Sequence, residues 1–229
     1  MNMYDYILDL PNQLKSAAKI AAELELPGDY ESVKNVLVLG MGASAIGGDI
    51  AKSLLENTLK VPMQIIRDYS LLDYVDSNSL VIANSYSGNT DEPLIAFQKA
   101  KEKRAKLIAI TKGGKLAEIA NADAIPLLQF EYKAQPRAAL GYLFAPIVII
   151  LEKLGLSKSS TDFDHVEIAD SSDKAKDLAQ KIQGKIPVIC AGEFLAPVAR
   201  RAKNQFNENS KSTAIFEEIP EMFHNTIEG

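Results

Sequence analysis

The stretch Leu80-Val81-Ile82-Ala83-Asn84-Ser85-Tyr86-Ser87-Gly88-Asn89-Thr90-Asp91-Glu92 changes character twice. Leu80 to Ala83 is an apolar run that reads as a buried strand, and an amphipathic segment opens at Asp91. Between them, every residue from Ser85 to Thr90 except Tyr86 carries a small hydroxyl, an amide or no side chain. A strand feeding a helix through such a turn presents hydroxyls and backbone N–H groups at the positive end of the helix dipole. That is a cradle for a phosphate. The same residue types are what a helix cap demands, with Thr90 as the N-cap. Taken alone, the stretch leaves both readings open.

The alternation repeats outward from it. Residues 11–24 read as an amphipathic helix with Leu14, Ala17, Ala18 and Ala21 on one face. Residues 35–39, 62–66, 80–83, 106–110 and 124–128 read as strands, with helices over 50–55, 94–103 and around 116–120 between them. A long apolar helix over 138–154 could cover the result. Strands alternating with helices through short loops imply right-handed crossovers. The fold class is therefore α/β: a doubly wound, parallel, five-stranded sheet flanked by helices, occupying a first domain over 1–154. Residues 155–168 are polar and Ser-rich and read as a linker. A second, incomplete domain over 169–229 restarts the pattern, with a charged helix over 169–182, a strand over 186–190, a helix over 197–209 and a short strand over 213–215. Two parallel strands do not make a stable sheet alone. The expectation is that the first domain, a partner chain or a missing C-terminal part completes them.

Composition narrows the partners. The chain has 229 residues, 47% hydrophobic and 24% charged, with a formal net charge of -5. That charge offers no basic face and argues against nucleic acid. An anionic ligand must instead find local donors. The one cysteine, Cys190, lies in the apolar run 187–190 and reads as a buried thiol. Neither a leader nor a membrane-length apolar run is present, so the sequence reads as cytoplasmic.

A second glycine-rich turn, Gly40-Met41-Gly42-Ala43-Ser44-Ala45-Ile46-Gly47-Gly48-Asp49, follows the first strand. A strand followed by Gly-x-Gly-x-x-Ala is also how a dinucleotide turn begins, and Asp68 could take the ribose. Gly47-Gly48 inside the following helix instead suggests close packing there. Two Ser-bearing turns at neighbouring strand ends converge on a small anion rather than a long dinucleotide.

Together the two turns resemble the paired phosphosugar loops of the sugar isomerase (SIS) fold. More narrowly the chain resembles the bifunctional phosphoglucose/phosphomannose isomerases. The narrower match is carried by Gln135-Pro136-Arg137-Ala138-Ala139-Leu140-Gly141-Tyr142, by Lys203-Asn204-Gln205-Phe206-Asn207-Glu208-Asn209-Ser210-Lys211 and by Glu218-Ile219-Pro220-Glu221-Met222-Phe223-His224-Asn225. The resemblance implies an aldose–ketose isomerase that interconverts glucose 6-phosphate, and mannose 6-phosphate, with fructose 6-phosphate through an enediol. Such a reaction needs a phosphate anchor, ring opening, a base and a cation for the enediolate. Gly42, Ala43, Ser44, Ser85, Ser87 and Thr90 are the candidate anchor. Glu208 is the candidate base, a role resting mainly on the resemblance, and Arg137 the enediolate stabiliser. His224 is assigned to ring opening, with a pKa naturally near neutral; the resemblance implies that it arrives from the second subunit of a homodimer. His165, in the polar stretch, reads as solvated. The acids and histidines show no metal-ligand spacing, and enediol proton transfer requires no cofactor.

Three positions depart from the family: Ala43 stands for a glycine, Pro93 for a polar residue and Ala202 for a tryptophan. The family also continues past the equivalent of Gly229 and carries a further active-site lysine there. The chain therefore reads as a shortened member. The alternative is a catalytically inactive sugar-phosphate-binding protein, a sensor or a truncated product.

Overall fold

Strand β1 (Asn35–Leu39) is the axis of the first unit, because the chain builds outward from it on both edges. The computed structural model describes residues 2–158 and 161–229. Helices α1 (Met3–Leu8) and α2 (Leu10–Glu23) precede β1. After it come α3 (Gly42–Leu55), β2 (Met63–Ile66), β3 (Ser79–Ser85), α4 (Asp91–Glu102), β4 (Lys106–Thr111), α5 (Gly114–Ala122), β5 (Leu127–Gln129) and α6 (Leu140–Lys153). The sheet order is β2-β1-β3-β4-β5 and every pairing is parallel. This is the doubly wound architecture that the alternation predicts. The direction of winding reverses between β1 and β3, and the carboxyl ends of that pair are where such sheets bind ligands.

Period-two alternation divides the core. Val36, Val38, Leu80, Ile82, Ile108 and Ile110 face the layer that holds Leu14, Ala17, Leu143 and Ile147. Leu37, Leu39, Val81, Ala83, Leu107 and Ala109 face the layer that holds Phe97 and Leu116. Burial on both faces is why these strands read as unbroken apolar runs.

Helix α3 begins at Gly42, eight residues before the expected helical segment at 50. Glycines there answer to packing rather than to a loop. A Cβ on Gly47 would lie 2.1 Å from the carbonyl oxygen of Leu143, so α3 and α6 touch backbone to backbone. On Gly48 it would press on Ile65 and Val38 at 3.0 and 3.1 Å. The fifth strand starts later than expected because Ala124, at φ 51°, is a turn residue. Of the stretch 155–168 expected as a linker, Leu156 and Phe163 are buried in the first unit's core, and Ser159 and Ser160 lie outside the described residues. The first compact unit extends to Val166, and the second begins at Glu167.

In the second unit, α7 (Ser172–Ile182), β6 (Val188–Gly192), α8 (Ala196–Gln205) and β7 (Ile215–Ile219) follow in order. Among the described residues, β6 and β7 pair in parallel only with each other. β7 begins later than the expected 213–215 because the Asn207 side chain accepts the Ala214 N–H at 3.1 Å, which ties that residue to the preceding turn. Cys190 is exposed, not buried as its apolar run suggested, since alternate residues of β6 face open solvent. No helix among the described residues is long and apolar enough to cross a membrane.

Gly47→Ala should lower the free energy of unfolding by about 2 to 3 kcal/mol, because neither backbone can retreat from the new methyl. Gly28→Ala, where an added methyl meets nothing within 4 Å, should stay within about 0.5 kcal/mol of the parent in the same urea titration.

Candidate functional site

The two serine-bearing turns meet at the carboxyl ends of β1 and β3, where Leu39 and Ala83 are register partners. Ser44 lies in the first turn of α3 and is 6% exposed, while Ser85 closes β3 at 2%. The Ser44 hydroxyl accepts the Tyr86 N–H at 3.2 Å, so one turn is fastened to the other. The Ser85 hydroxyl accepts the Gly88 N–H and the Ser87 hydroxyl the Asn89 N–H, both at 3.2 Å. A hydroxyl held as an acceptor still has its own proton to donate. Ser85 gives its own proton to the Thr90 hydroxyl at 3.4 Å, which closes the group and leaves Ser44 and Ser87 as the serines with a proton to offer. Three serine side chains are thereby fixed around one turn by the N–H groups of Tyr86, Gly88 and Asn89.

Thr90 occupies the N-cap of α4, yet its side chain makes no capping hydrogen bond. The bland reading of the opening stretch therefore loses its main support. The helix ends also differ electrostatically. α4 carries Asp91 and Glu92 in its first turn, which satisfy its dipole, whereas α3 has no acid in its first turn. The α3 end, with Gly42 at φ 50° and Ala43 beside Ser44, is the better place for a phosphate. Gly88 takes φ 69°, and a Cβ there would sit 1.8 Å from the Gly113 carbonyl oxygen. Asn89 accepts the Lys115 N–H at 3.0 Å, which ties the loop down to α5.

Several positioning residues escaped the sequence reading. Asn84, fully buried, donates its amide to the carbonyls of Ser44 (2.9 Å) and Leu143 (2.8 Å), joining β3 to α3 and α6. Its oxygen is left without a protein partner. The Tyr86 hydroxyl accepts the Ala134 N–H at 3.1 Å and reaches the Tyr132 and Ala134 carbonyls. That segment leads into the 3-10 turn Pro136–Ala138, which holds Arg137 and packs against α3. From α2, Gln13 grips the same turn, donating to the Ala138 carbonyl at 2.9 Å and accepting the Gly141 N–H at 3.2 Å. Tyr132 donates to Asp9 at 2.8 Å, and burial, reinforced by that carboxylate, pushes its phenol far above the ordinary value. The signal for Tyr86 was present, as the one large residue in a turn of small ones.

Glu208 and His224 belong to the second unit, so the first unit alone does not bring them to the serines. Glu208 is half-buried in the π-helical turn Phe206–Ser210 that extends α8, beyond the expected plain helix end. Its backbone carbonyl accepts Lys211 at 2.7 Å. Burial pushes the Arg201 guanidinium below its ordinary value, and the Glu208 carboxylate opposes that shift. His224 is exposed on the 3-10 turn Glu221–His224, and His165 pairs with Asp162 on the surface. Among the described residues, no three His, Cys, Asp or Glu side chains gather as a metal site.

Sheet order and paired loops define an α/β protein of the SIS class, and known proteins agree. The SIS domain model matches residues 29–129, and the bacterial phospho-glucose isomerase C-terminal SIS domain model matches 171–229. A bifunctional phosphoglucose/phosphomannose isomerase from Caldicellulosiruptor bescii is 39% identical over 99% of this chain and 71% of its own length. A D-glucosamine-6-phosphate 4-epimerase from Sulfolobus acidocaldarius is 35% identical over 91% of this chain and 67% of its own. Among solved structures, tagatose-6-phosphate ketose/aldose isomerase from Escherichia coli shares the fold with a TM-score of 0.66 at 19% identity, over 99% of this chain and 70% of that one. The chain belongs to the bifunctional phosphoglucose/phosphomannose isomerase family.

Asn84→Asp should destabilise the protein by about 3 kcal/mol or more at pH 8, since it sets a buried carboxylate against two carbonyls. Chemical denaturation at pH 8 and again at pH 5, where the loss should shrink as the carboxyl takes up its proton, checks the cause.

Proposed function

We propose that the protein interconverts fructose 6-phosphate with glucose 6-phosphate and mannose 6-phosphate by proton transfer through an enediol. The observation that carries this reading is the set of three serine hydroxyls, each accepting a backbone N–H, of which Ser44 and Ser87 keep a proton to donate while Ser85 turns its own toward Thr90. They hold the phosphate, together with Gly42 and Ala43 at the α3 end of the site and Thr90 at the start of α4. The sugar's reactive end is then free to lie away from the loops. Glu208 removes the proton from C1 or C2 and returns it to the neighbouring carbon. Arg137, carried on a turn fixed by Tyr86 and Gln13, faces the charge that develops on the enediolate oxygens. His224 of a second copy opens the sugar ring in a homodimer with shared sites, so its exposure in a single chain is expected. The substrates carry charge that retains them inside cells, which places the reaction in the cytoplasm. The relatives described above are named as catalysts, so the reading as an inactive sensor draws no support from them.

Glucose 6-phosphate formation from fructose 6-phosphate, coupled to a dehydrogenase, tests the reaction. Glu208→Gln should lower kcat by about a thousandfold with KM little changed. Turnover of glucosamine 6-phosphate in place of fructose 6-phosphate would transfer the site to the epimerase's chemistry. For the dimer, equal amounts of inactive Glu208→Gln and His224→Ala chains should recover about a quarter of parental activity after mixing, because one site in each mixed dimer is intact. No recovery would place both residues in a site built by one chain.

A further inference from the structure

Asp9 stands at the N-cap of α2, where an aspartate ordinarily accepts a backbone N–H of the first turn, yet its side chain makes no capping bond. Its two oxygens turn aside instead. One accepts the Asn12 amide at 2.9 Å, and the other accepts the Tyr132 phenol at 2.8 Å across 123 residues of chain. Tyr132 in turn accepts the Gln13 amide at 2.9 Å, and Gln13 is 1% exposed. The protons of this group have one consistent order. The Gly141 N–H can only donate and the Ala138 carbonyl can only accept, so between them the Gln13 amide has a single orientation. Its second hydrogen goes to Tyr132, and the phenol's own proton is left for the Asp9 carboxylate, which can only accept. The Tyr6 carbonyl, at 3.3 Å, is a third and longer acceptor for the same amide. Hydrogen bonds that run in one direction polarise one another and stiffen the group on which they end. Here that group is the turn Pro136–Ala138 with the first residues of α6. A Cβ on Gly141 would lie 2.5 Å from the Cβ of Gln13, so α2 and α6 meet closely at that point.

We propose that Asp9, Tyr132 and Gln13 form a hydrogen-bond relay that positions Arg137 for the reaction. They act through the turn that carries the guanidinium rather than on the sugar, so all three are positioning residues. The proposal rests on the reading of Arg137 as the cation for the enediolate. It accounts for the cap bond that Asp9 forgoes, since stability alone would be served by an aspartate that capped its own helix. It also gives the helices before β1 a part in the chemistry: α2 supplies the residue that holds the turn, and Asp9 at its start fixes the direction of every bond that follows.

Arabinonate 5-phosphate is the probe, because its carboxylate stands for the enediolate oxygens while its phosphate fills the serine turns; inorganic phosphate is the reference. Titration calorimetry on the full chain gives both dissociation constants, and kcat for fructose 6-phosphate is measured alongside. Tyr132→Phe keeps the ring against Tyr6 and Tyr142 and removes only the oxygen, so the Gln13 amide swings toward the Tyr6 carbonyl. It should weaken arabinonate 5-phosphate and lower kcat, each by about tenfold, with inorganic phosphate affinity held within about twofold. Gln13→Glu, which sets a carboxylate against the Ala138 carbonyl, should act in the same direction and more strongly. In an Arg137→Ala background Tyr132→Phe should have no further effect on the probe, because a relay that acts through Arg137 has nothing left to position. An equal loss in both backgrounds overturns the relay. So does an unchanged probe affinity in Tyr132→Phe, or a parallel loss of inorganic phosphate affinity, which marks a general loosening of the fold. Arg137→Ala that binds arabinonate 5-phosphate as tightly as the parent overturns the reading of Arg137 itself, and the relay with it, so the two failures are told apart.

Discussion

Asn84 sits at the carboxyl end of β3 with its amide nitrogen between two carbonyls, that of Ser44 on α3 and that of Leu143 on α6. The amide can serve both only by turning its NH2 toward them, which leaves the buried oxygen without a partner. An unpaired buried carbonyl oxygen costs about 1 to 3 kcal/mol. The fold tolerates it because the same region is pinned by backbone contact: Gly47 on α3 meets Leu143 with no room for a methyl. The position of α3, and hence the direction in which its first turn points, follows from these two contacts.

Everything at the site inherits that placement. With a net charge of -5, long-range attraction does not draw an anion in. Order here is local instead, because each of the three serine hydroxyls is fixed by a backbone N–H. Local charge sharpens the choice between two helix ends, since Asp91 and Glu92 occupy one and the other is clear. Tyr86 then extends the order outward. Its backbone N–H binds Ser44 and its hydroxyl holds the chain entering the Arg137 turn, so one residue couples the serine turns to that segment.

The second unit shows what the same sequence grammar yields with fewer strands. α8 and the π-helical turn after it hold Glu208 in a half-buried setting with Arg201 nearby. The sheet beneath it has two strands, and one of its faces is left to water. A parallel strand pair gains most of its stability from elements on its faces and edges, which are not local to it.

The order of elements, their parallel pairing and the two serine turns were legible because buried parallel strands are continuous apolar runs and phosphate turns have a narrow composition. Gly47 announced a close contact simply by being glycine within a helix. The burial of Cys190 was misjudged for the converse reason: an apolar run reports that a strand can be buried, and only the number of neighbouring strands decides whether it is. The boundaries of β5 and β7 were likewise set by a turn residue at positive φ and by a side chain bonding back to the main chain, neither of which has a pattern. Asn84 and Gln13 were invisible as positioning residues, because their partners lie 40 or more residues away in the chain, and Tyr86 showed only as the one large residue in a turn of small ones. Sequence alone determined which residues could carry the chemistry. Tertiary structure decided which of them share one turn, because hydrogen bonds between distant segments are fixed by packing and leave no period in the chain.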